Sequence, residues 1–235
     1  MKNFNVKIFA DGAEKSGMLE MNQNSLISGL TTNPTLMKKA GIIDYRSFCK
    51  DILLEIKTKP LSLEVFADDL QEMERQALEI STWADNVYVK IPVMNTKQQS
   101  TLEICKKLTM QGVKLNVTAM MTFDQVKDFT PYLNLGNGAN VSVFAGRIAD
   151  TGIDPLPLMK KIVTYLQDYP KVELIWASPR EVLNVYQADE IGCHIITVTN
   201  DIIKKLNLYG KDLNQYSLET VEMFYNDALA AGFKL

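Results

Sequence analysis

The chain has 235 residues, 46% of them hydrophobic, and its 25 basic and 28 acidic side chains leave a formal net charge of −3. That is enough apolar material to fill one large core. Charges of both signs are interspersed, which excludes an electrostatic nucleic-acid surface or a polybasic membrane tag. No apolar run approaches the roughly 18 residues of a spanning helix, and the opening MKNFNVKIFADG lacks a signal-peptide core, so a cytoplasmic protein with small partners is expected. Cys49, Cys105 and Cys193 are widely spaced and His194 is the single histidine; neither structural disulfides nor a metal site is expected.

Taken in chain order, short β-branched and aromatic runs recur: NVKIFA (5–10), LISGLT (26–31), LSLEVFA (61–67), NVYVKIPV (86–93), VKLNVTA (113–119), NVSVFAG (140–146), VELIWAS (172–178) and CHIITVT (193–199). Between most of them lie helical intervals. Leu70, Met73, Ala77, Ile80 and Ala84 predict a helix over 69–84, and Leu102, Cys105 and Leu108 another over 96–110. Helix starts are signalled by Thr122 and Asp124 before QVKDF, by the prolines of DPLPLMKKI, and by Asn200 before DIIKKL. Strand then helix, eight times over, predicts a (β/α)8 barrel, an α/β fold with a parallel sheet. A doubly wound open sheet is the alternative, weakened because no G-x-G-x-x-G follows an early strand. Residues 1–235 read as one domain in which 212–235 form an appended C-terminal helix. Its apolar Leu218, Val221, Phe224, Tyr225 and Leu229 suit a barrel end or a neighbouring subunit.

Catalytic side chains of such barrels come from the C-terminal ends of strands and the loops beyond them. There the chain is dense in polar residues: Asp11 on the first strand, Thr31, Thr32 and Asn33 on the second, Glu64 on the third and Lys90 on the fourth. Asn116 and Thr118 follow on the fifth, Ser142 and then Arg147 on the sixth, and Ser178 and Arg180 on the seventh. Each alone has a plainer explanation. A strand lysine can extend to solvent, threonine is an ordinary strand residue, Asn33 can simply be held extended by Pro34, and arginines are usually surface charges. Together, in a closed barrel, they converge on one mouth. A lysine desolvated there loses preference for its charged form and becomes a nucleophile toward a carbonyl. Asp11 or Glu64 would move protons, the amides and hydroxyls would hold a sugar, and the arginines would grip a phosphate. The pattern predicts a Schiff-base aldolase acting on sugar phosphates.

The motifs ADG (10–12), GLTTNPT (29–35), SLEV (62–65), VKIPV (89–93), NVTAMMTFDQV (116–126), SVFAGRIADTG (142–152) and WASPREV (176–182) run in order over nearly the whole chain. With them the sequence resembles the transaldolases, particularly the short members grouped with fructose 6-phosphate aldolases. The resemblance implies Lys90 as the Schiff-base lysine, Asp11 as the acid/base group, and Glu64 with Thr118 handling a catalytic water. It implies that Thr32, Asn33, Asn116, Ser142 and Phe144 contact the sugar and that Arg147, Ser178 and Arg180 receive the phosphate. No metal or cofactor is implied. The implied donors are fructose 6-phosphate or sedoheptulose 7-phosphate, the acceptors erythrose 4-phosphate or glyceraldehyde 3-phosphate, the setting the pentose phosphate pathway, and the assembly a homo-oligomer of five or ten subunits.

Within that group, aldolases that release dihydroxyacetone carry glutamine and tyrosine where this chain has Glu64 and Phe144, so the resemblance implies a transaldolase. Two rivals stand beside it: an aldolase that frees dihydroxyacetone, and a non-catalytic barrel that binds a sugar phosphate. The chain departs from the family pattern at Pro179, between Ser178 and Arg180, and at Val143, where proline is common. His194, at the start of the eighth strand, is assigned no chemistry.

Overall fold

The computed structural model describes residues 3–235. Among them the strands are β1 (Lys7–Asp11), β2 (Ile27–Thr31), β3 (Leu61–Glu64), β4 (Val87–Pro92), β5 (Leu115–Met120), β6 (Ala139–Val143), β7 (Val172–Trp176) and β8 (Ile195–Thr199). The helices are α1 (Lys15–Gln23), α2 (Pro34–Lys39), α3 (Tyr45–Glu55), α4 (Leu70–Ser81), α5 (Leu102–Met110), α6 (Phe123–Leu133), α7 (Ala145–Ala149), α8 (Leu156–Leu166), α9 (Leu183–Glu190), α10 (Asn200–Lys205) and α11 (Leu213–Ala231). The strands form a closed barrel in sequence order, and β8 pairs in parallel with β1. This is the expected (β/α)8 architecture.

Alternation along each strand divides two cores. On β4, Val87, Val89 and Ile91 are buried against the helical layer with Ala77 and Ile80 of α4, while Tyr88 and Lys90 take the other face. Removing each such aliphatic side chain from water contributes about 1.5–3 kcal/mol. The barrel interior is plugged by Phe9, Ile175, Ala177 and Ile195. The Phe9 ring lies so close to Gly29 that a Cβ there would sit 2.5 Å from it. Glycine at 29 therefore makes room for the plug.

Helix starts follow side-chain chemistry. Asp69 accepts from the backbone amides of Gln71 and Glu72, and Thr122 with Gln125 forms a reciprocal capping box, so the exposed amides of the first turns are satisfied. The predicted helix over 96–110 is shorter, beginning only at Leu102. Asn95 Oδ1 accepts from the amides of Lys97 and Gln99, and Gln98 has φ +61°; the asparagine competes for the amides that a helix would use. The sixth strand ends at Val143 rather than running to 146, because Ala145 starts α7.

At the N-terminal mouth, His194 Nδ1 accepts from the Leu174 amide at 3.1 Å, and burial holds its pKa below the usual imidazole value. It thus serves the β7–β8 ladder. The three cysteines are free and buried. Among the described residues no helix is long and apolar enough to cross a membrane, and no three His, Cys, Asp or Glu side chains group as a metal site would require. Helix α11 has no buried residue.

Candidate active site

A cavity of about 520 Å³ opens where the C-terminal ends of the strands meet. Asp11, Asn33, Glu64, Lys90, Asn116, Thr118, Ser142, Phe144, Arg147, Ser178 and Arg180 all line it. Residues distant in sequence meet there because each stands on an inward position near a strand's end or in the loop just beyond.

Lys90 is 6% exposed. Its Nζ lies 3.0 Å from Glu64 Oε2 and donates to the Thr32 carbonyl at 3.1 Å. Register explains the first contact, since Glu64 and Lys90 are direct neighbours across β3 and β4. The end of β3 is itself pinned by α3, where the Tyr45 hydroxyl donates to the Glu64 carbonyl at 2.8 Å. A buried amine with a carboxylate at contact distance has a nearby acceptor for the proton it must lose before attacking carbon.

Asp11, at the end of β1, lines the same cavity. Burial raises its pKa, opposed by the charge of Lys90 and by the Thr31 hydroxyl, which donates to Asp11 Oδ1 at 2.8 Å. A carboxylate with raised pKa in a cleft is suited to taking and returning a proton.

A polar chain fixes the far wall. Ser142 Oγ donates to Asn116 Oδ1 at 2.7 Å, and Asn116 Nδ2 donates to Ser62 Oγ at 3.0 Å, which sets the amide's orientation. Thr118 follows on β5, its buried Oγ1 without a protein partner. Ala119 has φ +61°, and the β5–β6 register shifts between Val117 and Met120. This strained bulge aims the end of β5. Asn33 is extended and caps α2, its Oδ1 accepting from Leu36 N at 3.0 Å; the amide nitrogen remains for a ligand.

Helix α7, with Arg147, and the β7–α9 loop, with Arg180, carry the positive charge. Ser178 has φ +58°, and Gly146 packs so tightly beneath it that a Cβ would sit 1.5 Å from the Ser178 carbonyl oxygen. Arg180 is clamped by Asp150, Nε to Oδ1 at 3.0 Å with Nη2 bonding Oδ2. Arg147 is exposed, its guanidinium carbon 5.8 Å from the Phe144 ring centroid.

Residues 8–235 match the family model described as Transaldolase/Fructose-6-phosphate aldolase. The chain belongs to that family. It is 36% identical to a probable transaldolase of Dehalococcoides mccartyi over 202 residues, covering 86% of this chain and 90% of the relative. It is also 34% identical to a probable transaldolase of Thermoanaerobacter sp. over 232 residues, 98% of this chain and 100% of the relative. A probable transaldolase of Chelativorans sp. is 36% identical over 206 residues, 86% of this chain and 88% of that one.

One residue of this family member lies elsewhere than the resemblance implied. Thr31, not Thr32, lines the cavity. Side chains alternate along a strand, so with Thr31 facing inward Thr32 turns away; only its carbonyl reaches Lys90, and its own Oγ1 is buried without a partner. Thr197 also lines the cavity and Ser62 orients the Asn116 amide, although neither was singled out. Ser62 sits two residues before Glu64, and period-two counting along β3 would have found it; the eighth strand offers no candidate residue from which to start the same count.

Proposed function

We propose that this enzyme is a transaldolase working through a Schiff base on Lys90. The observation that carries the reading is the buried Lys90 with Glu64 at 3.0 Å and the half-buried Asp11 in the same cavity. Binding alone requires no desolvated amine beside two carboxylates. In the proposed cycle Lys90 gives a proton to Glu64, and its free amine attacks the C2 carbonyl of a ketose phosphate. Loss of water leaves an iminium. Asp11 takes the proton of the C4 hydroxyl, the C3–C4 bond breaks, and its electron pair moves to the iminium as an enamine while the aldose phosphate departs. The enamine attacks the carbonyl carbon of an acceptor aldehyde, Asp11 returns the proton to the new alkoxide, and water releases the product.

Asn33, Asn116 and Ser142 are the proposed partners of the dihydroxyacetone hydroxyls. Arg147 and Ser178 are the proposed phosphate partners, with Arg180 as a charge held in place by Asp150. Thr118 Oγ1 and Glu64 would hold the water used in iminium formation and hydrolysis. Glu64 and Phe144 favour transfer over release of dihydroxyacetone. The proposed donors are fructose 6-phosphate and sedoheptulose 7-phosphate. A coupled assay with erythrose 4-phosphate tests this: turnover should depend on the acceptor, whereas equal turnover without it would make the enzyme an aldolase.

The proposed assembly is a homo-oligomer in which α11 meets a neighbouring subunit. Val221, Phe224 and Leu229 of that helix are each about 60% exposed, an apolar face that a second copy would cover.

A further inference from the structure

Thr197 of β8 is 7% exposed, and its Oγ1 lies 2.5 Å from Thr31 Oγ1. The two threonines stand on the strands flanking β1, which carries Asp11. We propose that Thr197 is a positioning residue for proton transfer: its hydroxyl donates to Thr31, commits the Thr31 proton to Asp11 Oδ1, and leaves Oδ2 as the atom that takes the substrate's proton. This rests on the Schiff-base cycle proposed above.

A count of hydrogens supports the direction of the chain. Each threonine hydroxyl has one proton and two acceptor lone pairs, and an ionised carboxylate only accepts. Thr31 spends its proton on Asp11 Oδ1, 2.8 Å away. The contact between the two threonine oxygens is then a hydrogen bond only if Thr197 supplies the proton. A hydroxyl that accepts one hydrogen bond becomes a better donor in the next, so Thr197 strengthens the bond that stabilises ionised Asp11. The bond also makes the carboxylate asymmetric. Oδ1 is occupied throughout, and the proton from the sugar hydroxyl is received and returned at Oδ2, with no change in the threonines.

The charged groups sharing this space are Lys90 on β4, Glu64 on β3 and Lys39 on α2 in the cavity, with Glu14 and Asp201 lining the adjoining cleft beside Asp11. Arg147 and Arg180 stand across the mouth. Replacing one uncharged side chain by another leaves all of these in place, so a displaced pH profile would report the hydroxyl chain.

The test compares Thr197→Val, which keeps the shape and removes the hydroxyl, with Thr197→Ser, which restores it. Two readouts are needed: the acidic limb of kcat/KM against pH, and the adduct on Lys90 after borohydride treatment with fructose 6-phosphate. Thr197→Val should move the acidic limb to higher pH and lower kcat by up to about tenfold, the scale of one net hydrogen bond. Its trapped adduct should change from dihydroxyacetone to intact hexose phosphate, because iminium formation survives while cleavage slows. Thr197→Ser should recover both. A Thr197→Val enzyme with the wild-type limb and a dihydroxyacetone adduct would overturn the proposal. Should that variant not fold, Thr197→Ala is read in the same way. A wild-type enzyme that forms no Lys90 adduct would instead overturn the Schiff-base cycle itself, and the proposal with it.

Discussion

Lys90 Nζ and Glu64 Oε2 stand 3.0 Å apart, both largely withdrawn from water, on neighbouring strands in direct register. In the proposed cycle this pair joins nucleophile and proton acceptor without any loop having to move. Glu64→Gln keeps the shape but removes the acceptor. Acceptor-dependent transfer should fall by about 10²-fold or more, the usual weight of a positioned acid/base group, while the released dihydroxyacetone rises as a share of product. Product analysis with and without erythrose 4-phosphate reads both quantities.

In the proposed cycle Asp11 sets the pH behaviour. Its folded-state pKa is raised, chiefly by burial, so the protonated form is favoured by folding. A carboxyl of this kind stabilises the protein below its unfolded pKa and loses that contribution as pH rises through the folded value. Above that value its charge is therefore a burden on stability. Asp11→Asn should raise the melting temperature at pH 7, have little effect near pH 3, and abolish cleavage. The wild-type rate should fall on the acidic side at a pH above that of an ordinary aspartate. Melting curves at the two pH values and a kcat/KM profile check the two halves.

The proposed phosphate end depends on a close approach. A Cβ at Gly146 would sit 1.5 Å from the Ser178 carbonyl oxygen, which backbone movement alone can relieve. Gly146→Ala should cost about 1–3 kcal/mol of stability, as overpacking does, and displace Ser178 and Arg180 together. Denaturant titration measures the first effect. A KM that rises for the phosphorylated ketose but not for free fructose identifies the second.

Arg147 and Arg180 should differ in kind. Arg180 is already paired with Asp150, so Asp150→Asn should mainly loosen its aim. Arg147→Ala removes an exposed charge and should raise KM for fructose 6-phosphate by about tenfold to a hundredfold, the worth of a charge-assisted hydrogen bond or two, with kcat changed less. Steady-state kinetics of the two variants should separate them.

Helix α11 offers an independent check on assembly. Phe224 is 62% exposed on a helix with no buried side chain. Phe224→Glu should leave the barrel folded and reduce the particle mass measured by light scattering; an unchanged mass would place the interface elsewhere.

All eight strands were legible, because β-branched and aromatic runs recur at regular spacing and helical periodicity fills most of the gaps. Lys90 and Glu64 stood out as charges inside apolar runs, a pattern that burial must compensate. The loop at 95–101 was not legible, since helical spacing from Leu102 onward says nothing of an Asn95 side chain that captures the preceding amides. Thr31 and Thr32 could not be separated by type, as one register step decides which faces the barrel interior. Thr197 was hidden for a related reason: its meaning lies in a hydroxyl on another strand, 166 positions away.

The proposed cycle turns on a covalent bond at Lys90. Borohydride reduction in the presence of fructose 6-phosphate, followed by peptide mass spectrometry, tests it most directly. A reduced dihydroxyacetone adduct on the peptide containing Lys90, absent from Lys90→Ala, is the predicted result. An active enzyme that forms no adduct with this ketose or with sedoheptulose 7-phosphate, or a Lys90→Ala variant that still turns over, would contradict the account.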